Sequence, residues 1–122
     1  TPTGAFFKGG LRLLEGGGVH QRRIRVEMEA RRLSVHDMLA GTGTHRAESR
    51  IHLHPQVRVQ CDGEGALLQR GTHRCRLVPT AGHLRREEGW YCPRFGERLR
   101  RPVLVVAAAG ALPLRCGYEV RY

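Results

Sequence analysis

The chain has 122 residues, a length typical of one domain whose hydrophobic core needs no metal ion for folding. Its longest apolar run is interrupted by Gly110 and Pro113 and is shorter than the ~20 residues of a membrane-spanning helix. This excludes the class of proteins that cross a membrane with such a helix. The net charge is +10, and 20 of the 21 basic residues are arginine. Nucleic acid, anionic membranes and acidic polysaccharides are therefore all candidate partners. A general compositional bias toward arginine would give the same numbers.

Residues 1–16 are rich in glycine and have no clear hydrophobic period, so we expect a poorly patterned lead-in. Because the chain starts at Thr1 and not at Met, we also expect it to be part of a longer protein. Residues 17–122 then form the predicted domain.

Alternation of apolar and polar residues predicts strands through most of this domain. It recurs in the segments "RRIRVEME", "RRLSVHDML", "ESRIHLHP", "QVRVQC", "ALLQ", "THRCRLV", "VLVVAA" and "LPLRCGYEVRY". Turn sequences such as "GTG", "DGEG" and "RGT" separate them. About nine or ten short strands at this spacing predict an all-β fold, an antiparallel β-sandwich, in which the apolar run from Val103 to Ala109 is a central strand.

The four cysteines have no CxxC spacing, which argues against a zinc knuckle or a dithiol redox motif. Cys61, Cys75 and Cys116 each stand in register with apolar neighbours. We therefore predict buried thiols in preference to disulfides.

Residues that could carry catalysis or bind a metal are few. His52 and His54 alternate on one strand and could hold a cation, but a solvated strand face beside arginines is the favoured interpretation. The carboxylate pairs Glu27/Glu29 and Glu87/Glu88 do not have the geometry of a glycosidase couple. No nucleophile elbow or phosphate-binding loop is present, so the chain alone is predicted to be a poor enzyme with no metal and no cofactor.

The stretch "EEGWYCPRFGER" (87–98) holds the only tryptophan and allows two interpretations. Its aromatic residues could stack on sugar rings or bases while arginines bind anionic groups. Alternatively, Trp90 packs into the core or against another domain, which we favour because the chain has only seven aromatic residues. Arg94 is the best single candidate for an external contact, and we predict substrate contacts at Arg94, Tyr91 and Arg98.

Three motifs together resemble the C-terminal β-domain of heparinase II/III-like polysaccharide lyases. The first is an H-x-R-R strand (20–23) followed by Asp37 and a G-x-G-x-H turn (41–45), and the second is R-x-H-L-H-P (50–55). The third and most specific is E-G-W-Y-x-P-R-[FY]-G (88–96) followed by "PVLVV". The resemblance covers residues 17–122, with departures at Cys92, where serine is usual, and in residues 1–16.

The resemblance implies a β-sandwich domain of a lyase that cleaves acidic, uronic-acid-containing polysaccharides by β-elimination. The family's catalytic tyrosine and histidines lie in motifs absent from this chain, so no catalytic residue is assigned here. The implied partners are an upstream catalytic module of the same polypeptide and an acidic polysaccharide, in a parent protein expected to be periplasmic or secreted. An autonomous binding module for anionic glycans is the alternative, and nucleic acid is the least favoured partner because the aromatics do not alternate with arginines.

Overall fold

A computed structural model describes residues 4–12 and 18–122 of the chain as two stacked antiparallel β-sheets. The described residues form ten strands and no helix, so the predicted all-β sandwich is confirmed. The strands are β1 (Gly4–Arg12), β2 (Val19–Glu27), β3 (Arg32–Ala40), β4 (Thr44–His52), β5 (Arg58–Cys61), β6 (Ala66–Arg70), β7 (His73–Ala81), β8 (His83–Tyr91), β9 (Leu99–Ala111) and β10 (Leu114–Arg121). No helix in this part of the chain is long and apolar enough to cross a membrane.

The two sheets differ in size. The large sheet has seven strands in the order β1-β2-β3-β10-β7-β6-β5, and the small sheet has three in the order β4-β9-β8. Residues 4–12, which we expected in the lead-in, pair with β2 as the edge strand of the large sheet, whereas residues 13–16 lie outside the described part. The order makes β8 an exposed edge strand of the small sheet, a position that matters for the functional site below.

The core lies between the two sheets. Leu104 of β9 packs with Leu77, Ala66 and Leu68 of the large sheet, and all four side chains are buried. Each fully buried leucine or valine contributes about 1.5–3 kcal/mol by leaving water. The whole run from Val103 to Val106 is buried on both faces of β9, which confirms that this segment is a central strand.

Gly82 forms the corner where the chain leaves the large sheet and enters the small one. It stands between β7 and β8, with a φ of +96°. A Cβ at this position would lie 2.6 Å from the backbone oxygen of Ala107, a distance that real side chains do not adopt. Glycine is therefore required for both the conformation and the close approach of the two strands.

The cysteines follow our prediction only in part. All four thiols are free, as expected. Cys116 is buried and Cys75 half-buried, and burial raises the pKa of both thiols. Cys61, however, is exposed, so its predicted burial is wrong: it ends the short edge strand β5, where no further strand covers it.

Candidate functional site

An ion cluster lies between the sheets and involves the H-x-R-R motif. The β2–β3 register places Arg22 opposite Asp37. Arg22 donates from Nε and Nη2 to the two oxygens of Asp37 at 2.8 and 2.9 Å, and His20 Nε2 lies 2.7 Å from Asp37 Oδ1. Arg22 Nη2 also donates to Ser49 Oγ, 3.3 Å away on β4, so this interior cluster (His20, Arg22, Asp37 and Ser49) joins the two sheets.

The electrostatics of the interior cluster make it a structural element. Burial by itself would raise the pKa of Asp37, but the hydrogen bonds from Arg22 and His20 and their charges outweigh it and lower the pKa below the usual range. The same bidentate bond raises the pKa of Arg22. A carboxylate that is held ionised by a guanidinium is a weak proton acceptor, so Asp37 does not have the properties of a general base.

A second group of charges covers the outer face of the small sheet. Arg85 lies 2.8 Å from Glu48 and 3.2 Å from Glu87, and Arg50 contacts the same two carboxylates from β4. The four side chains surround Val105, which is opposite both arginines in the strand register and is fully buried beneath them. Opposite charges alternate around this square, so its arginines are neutralised within the chain.

The end of the β8–β9 hairpin is different. We call Trp90, Tyr91, Arg94, Arg98, Arg100 and Arg101 the tryptophan edge. The Arg98 guanidinium lies 4.2 Å from the centre of the Trp90 ring and that of Arg100 5.5 Å, while Arg101 lies 4.7 Å from the Tyr91 ring. Cation–π contacts of this kind hold arginines in place without removing their charge.

Trp90 is 51% exposed, so a place in the core of this domain is wrong, while packing against another domain stays a prediction. The residues that share its side of β8 explain this outcome, because Arg86 and Glu88 are charged and only Leu84 packs against the core. Phe95 in the following loop is fully exposed and Leu99 is 52% exposed. The hairpin end therefore presents an apolar and aromatic surface to solvent.

Of the predicted contact residues, the structure brings Tyr91 and Arg98 into the same hairpin end, and Arg94 is 82% exposed beside them. Arg98 lies on Trp90 and not on Tyr91. Sequence reasoning missed Arg100 and Arg101. Only the β8–β9 register, which places Trp90 opposite Arg100 and Gly89 opposite Arg101, reveals them.

The charge of the tryptophan edge is largely uncompensated. Among residues 4–12 and 18–122, no carboxylate lies within ion-pairing distance of Arg98, Arg100 or Arg101. Arg94 has only an exposed contact with Glu97 at 3.8 Å, a type of ion pair that contributes little. The Nε of Arg101 is buried and has no hydrogen-bond partner in this part of the chain. The guanidiniums of Arg98, Arg100 and Arg101 therefore keep their charge without a carboxylate partner among the described residues.

His52 and His54 do not form a shared site. His52 ends β4 and is exposed, whereas His54 accepts a hydrogen bond from the Gln56 backbone and packs at 5.8 Å against the Tyr91 ring. Within the described ranges, no three histidine, cysteine, aspartate or glutamate side chains are close enough to hold a metal ion.

The fold and surface thus define a β-sandwich domain with a neutralised interior cluster and an exposed cationic, aromatic edge. A family model described as "Heparinase II/III-like, C-terminal" matches residues 8–117, and the chain belongs to this family. The resemblance carried by the three sequence motifs is confirmed. No curated protein sequence matches the chain.

Two solved structures that share this fold are named as a lyase and as a heparinase gene product. The heparan sulfate lyase HepC from Pedobacter heparinus is 16% identical, with a TM-score of 0.84 over 99% of this chain and 20% of its own. A heparinase III gene product is 12% identical, with a TM-score of 0.74 over 94% of this chain and 18% of its own. At these identities the likeness shows the fold, and the chain spans about a fifth of the length of the proteins it matches.

Proposed function

We propose that this chain is the non-catalytic C-terminal β-sandwich domain of a lyase that cleaves uronic-acid-containing polysaccharides by β-elimination. Its tasks are to support the catalytic module of the same polypeptide and to present Arg94, Tyr91 and Arg98 to the substrate groove. Family membership supports the first task. The observation that carries the second is the tryptophan edge, where Arg98 and Arg101, which have no carboxylate partner among the described residues, lie on the Trp90 and Tyr91 rings.

The chemistry of β-elimination supports a non-catalytic role. The reaction needs a base that removes the proton at C5 and a group that neutralises the adjacent carboxylate. In this chain Asp37 is bound by both His20 and Arg22, so neither Asp37 nor His20 is free to act as the base. Tyr118 is half-buried, and this burial raises its pKa, which disfavours the phenolate that a tyrosine base would use.

The tryptophan edge has the chemistry of a glycan contact. Exposed aromatic rings stack on the apolar faces of sugar rings, and arginine forms bidentate hydrogen bonds with carboxylate and sulfate groups. Because Arg98 and Arg100 are already held against Trp90, little side-chain entropy is lost when they bind an anion. An acidic sugar therefore matches both components of the surface.

An activity assay tests the non-catalytic role. The purified 122-residue chain is incubated with heparan sulfate and with alginate, and the absorbance of unsaturated uronate is followed. We expect no rise above the blank with either substrate. Turnover that persists in a second, independently purified preparation would show that the chain carries its own catalytic groups.

The alternative function, an autonomous binding module for anionic glycans, is favoured by the net charge of +10 and the free arginines of the tryptophan edge. Retention on a heparin column distinguishes it. Specific binding predicts that the Arg70→Ala control, whose tryptophan edge is intact, elutes with the parent chain, whereas Arg94→Ala and Arg98→Ala elute early. Equal retention of all three variants would indicate attraction by net charge alone.

A further inference from the structure

A second cationic surface lies on the outer face of the large sheet, whereas the tryptophan edge belongs to the small sheet. It is a groove of about 470 Å³ across four neighbouring strands, β2, β3, β10 and β7. The register places Arg23 opposite His36 and His36 opposite Gly117, and in the next row Met38 opposite Arg115. We call it the Gly117 groove, lined by Gln21, Arg23, His36, Thr80 and Arg115 around Gly117.

Because Gly117 has no Cβ, polar atoms of two neighbouring side chains lie close over its backbone. A Cβ at this position would lie 2.7 Å from Thr80 Oγ1 and 2.8 Å from His36 Nδ1. Both atoms therefore point at the same spot above the backbone. In the described part of the chain, neither side chain has a hydrogen-bond partner.

The positive charge of the groove is also uncompensated. No carboxylate of the described residues pairs with Arg23 or Arg115. Asp37 borders the groove, but its carboxylate is bound by His20 and Arg22 on the inner face of the sheet. Glu119, two residues from Gly117, is held by Arg121 at 3.2 Å.

We propose that the Gly117 groove binds one oxyanion group, a sulfate or a carboxylate, above Gly117. Arg23 and Arg115 supply the charge, and the Thr80 hydroxyl and the His36 ring supply directed hydrogen bonds. The missing Cβ lets the Thr80 and His36 side chains lie close to the Gly117 backbone, so that both polar atoms face one anion in the groove. The site uses no strand of the tryptophan edge, so it does not depend on the function proposed above.

Sulfate titration of the ¹⁵N-labelled 122-residue chain tests the proposal. Sodium sulfate replaces sodium chloride at constant ionic strength, while the amide signals of Gly117, Thr80 and His36 are followed by NMR. We expect saturable shifts confined to the groove. Arg115→Ala and Arg23→Ala should each weaken the binding about tenfold, the effect of one lost hydrogen bond to a charged group.

Arg70→Ala is the matched control, since Arg70 is exposed at the β6–β7 turn and also has no carboxylate partner among the described residues. It should leave the sulfate affinity unchanged. Thr80→Val keeps the side-chain shape and removes the hydroxyl, so it should weaken binding without unfolding the chain. A parallel titration with sodium glucuronate shows whether the preferred group is sulfate or carboxylate.

Two results would overturn the proposal. Amide signals that shift linearly with the sulfate concentration, at arginines over the whole surface, would show only non-specific ion binding. Equal affinities in Arg115→Ala, Arg23→Ala and the Arg70→Ala control, with all variants folded by circular dichroism, would show that the groove contributes no specific binding.

Discussion

The interior cluster and the tryptophan edge use the same residue type in opposite ways. Arg22 is bound by a carboxylate through two hydrogen bonds and is bonded to the facing sheet through Ser49. Arg98 lies against the Trp90 ring at the loop end of the β8–β9 hairpin and has no carboxylate partner in the described chain. The first arginine stabilises the fold, whereas the second keeps its charge for a molecule outside it.

This difference separates architecture from recognition in a chain where arginines occur everywhere. Ten arginines of the described chain form ion pairs with carboxylates, including those of the square around Val105. The remaining arginines include two groups that share a surface, one at the tryptophan edge and one in the Gly117 groove. Net charge alone therefore overstates how much cationic surface is available to a ligand.

The largest expected effect is the loss of stability when the interior cluster is broken. Asp37→Ala leaves Arg22 and His20 between the sheets without their carboxylate, and we expect a loss of about 3 kcal/mol in the free energy of unfolding. Urea denaturation measures it. The double variant Arg22→Met, Asp37→Leu should recover part of the loss, because it removes both charges together.

Arg94→Ala serves as the comparison at the tryptophan edge. Since Arg94 is exposed and makes one long ion pair, its removal should change the stability by less than ~0.5 kcal/mol. Equal losses in Asp37→Ala and Arg94→Ala would contradict the distinction between the two regions.

The second-largest expected effect is the loss of the stabilisation by the interior cluster in acid. The pKa of Asp37 is lowered in the folded chain, while an unfolded aspartate titrates near ~3.9. The stabilisation by Asp37 is therefore complete above the unfolded pKa and is lost as the pH falls through the lower, folded pKa. The free energy of unfolding, measured between neutral pH and strong acid, should fall below about pH 4.

Asp37→Asn is the control for this pH dependence, because it removes the titrating group at nearly constant shape. Glu27, Glu48 and Glu87 also have lowered pKa values through their arginine partners, and Asp62 has a lowered pKa through the backbone N–H of Glu64 and through Arg76. Some acid sensitivity should therefore remain. If the variant and the parent chain have parallel curves, Asp37 does not contribute to the acid transition.

The sequence predicted the sandwich because alternation and turn residues are local signals. β8 was harder to recognise as a strand, since both of its sides carry charges: Arg86 and Glu88 on one, Arg85 and Glu87 on the other. Its stability comes from pairing with the buried strand β9 and from the charge square, which are long-range contacts. Local patterns contain no information about these partners.

The sequence also predicted only part of the candidate site. Motif resemblance pointed to His20, Arg22 and Asp37, but their contacts follow from the β2–β3 register. Trp90 was expected in the core or against another domain because the chain has few aromatic residues, and the structure places it half-exposed on an edge strand opposite Arg100. The groove above Gly117 combines four strands that are distant in sequence, so no short motif could have indicated it.

Substitution of Trp90, the ring against which Arg98 and Arg100 lie, should have the smallest effect on stability and a clear effect on binding. Trp90→Ala should cost little stability because half of the side chain is already in water. It removes the surface on which Arg98 and Arg100 lie, so both guanidiniums become free to rotate and must be ordered again when an anion binds. Heparin-column retention should therefore fall nearly as much in Trp90→Ala as in Arg98→Ala, although no charge is lost.

Trp90→Phe provides the matched control, since it retains an aromatic ring for the cation–π contacts and should keep most of the retention. Unfolding by urea verifies that all three variants remain as stable as the parent chain. If Trp90→Ala elutes with the parent chain while Arg98→Ala elutes early, the arginines act as independent charges. The tryptophan edge would then be a cationic surface in which the aromatic ring has no part in recognition.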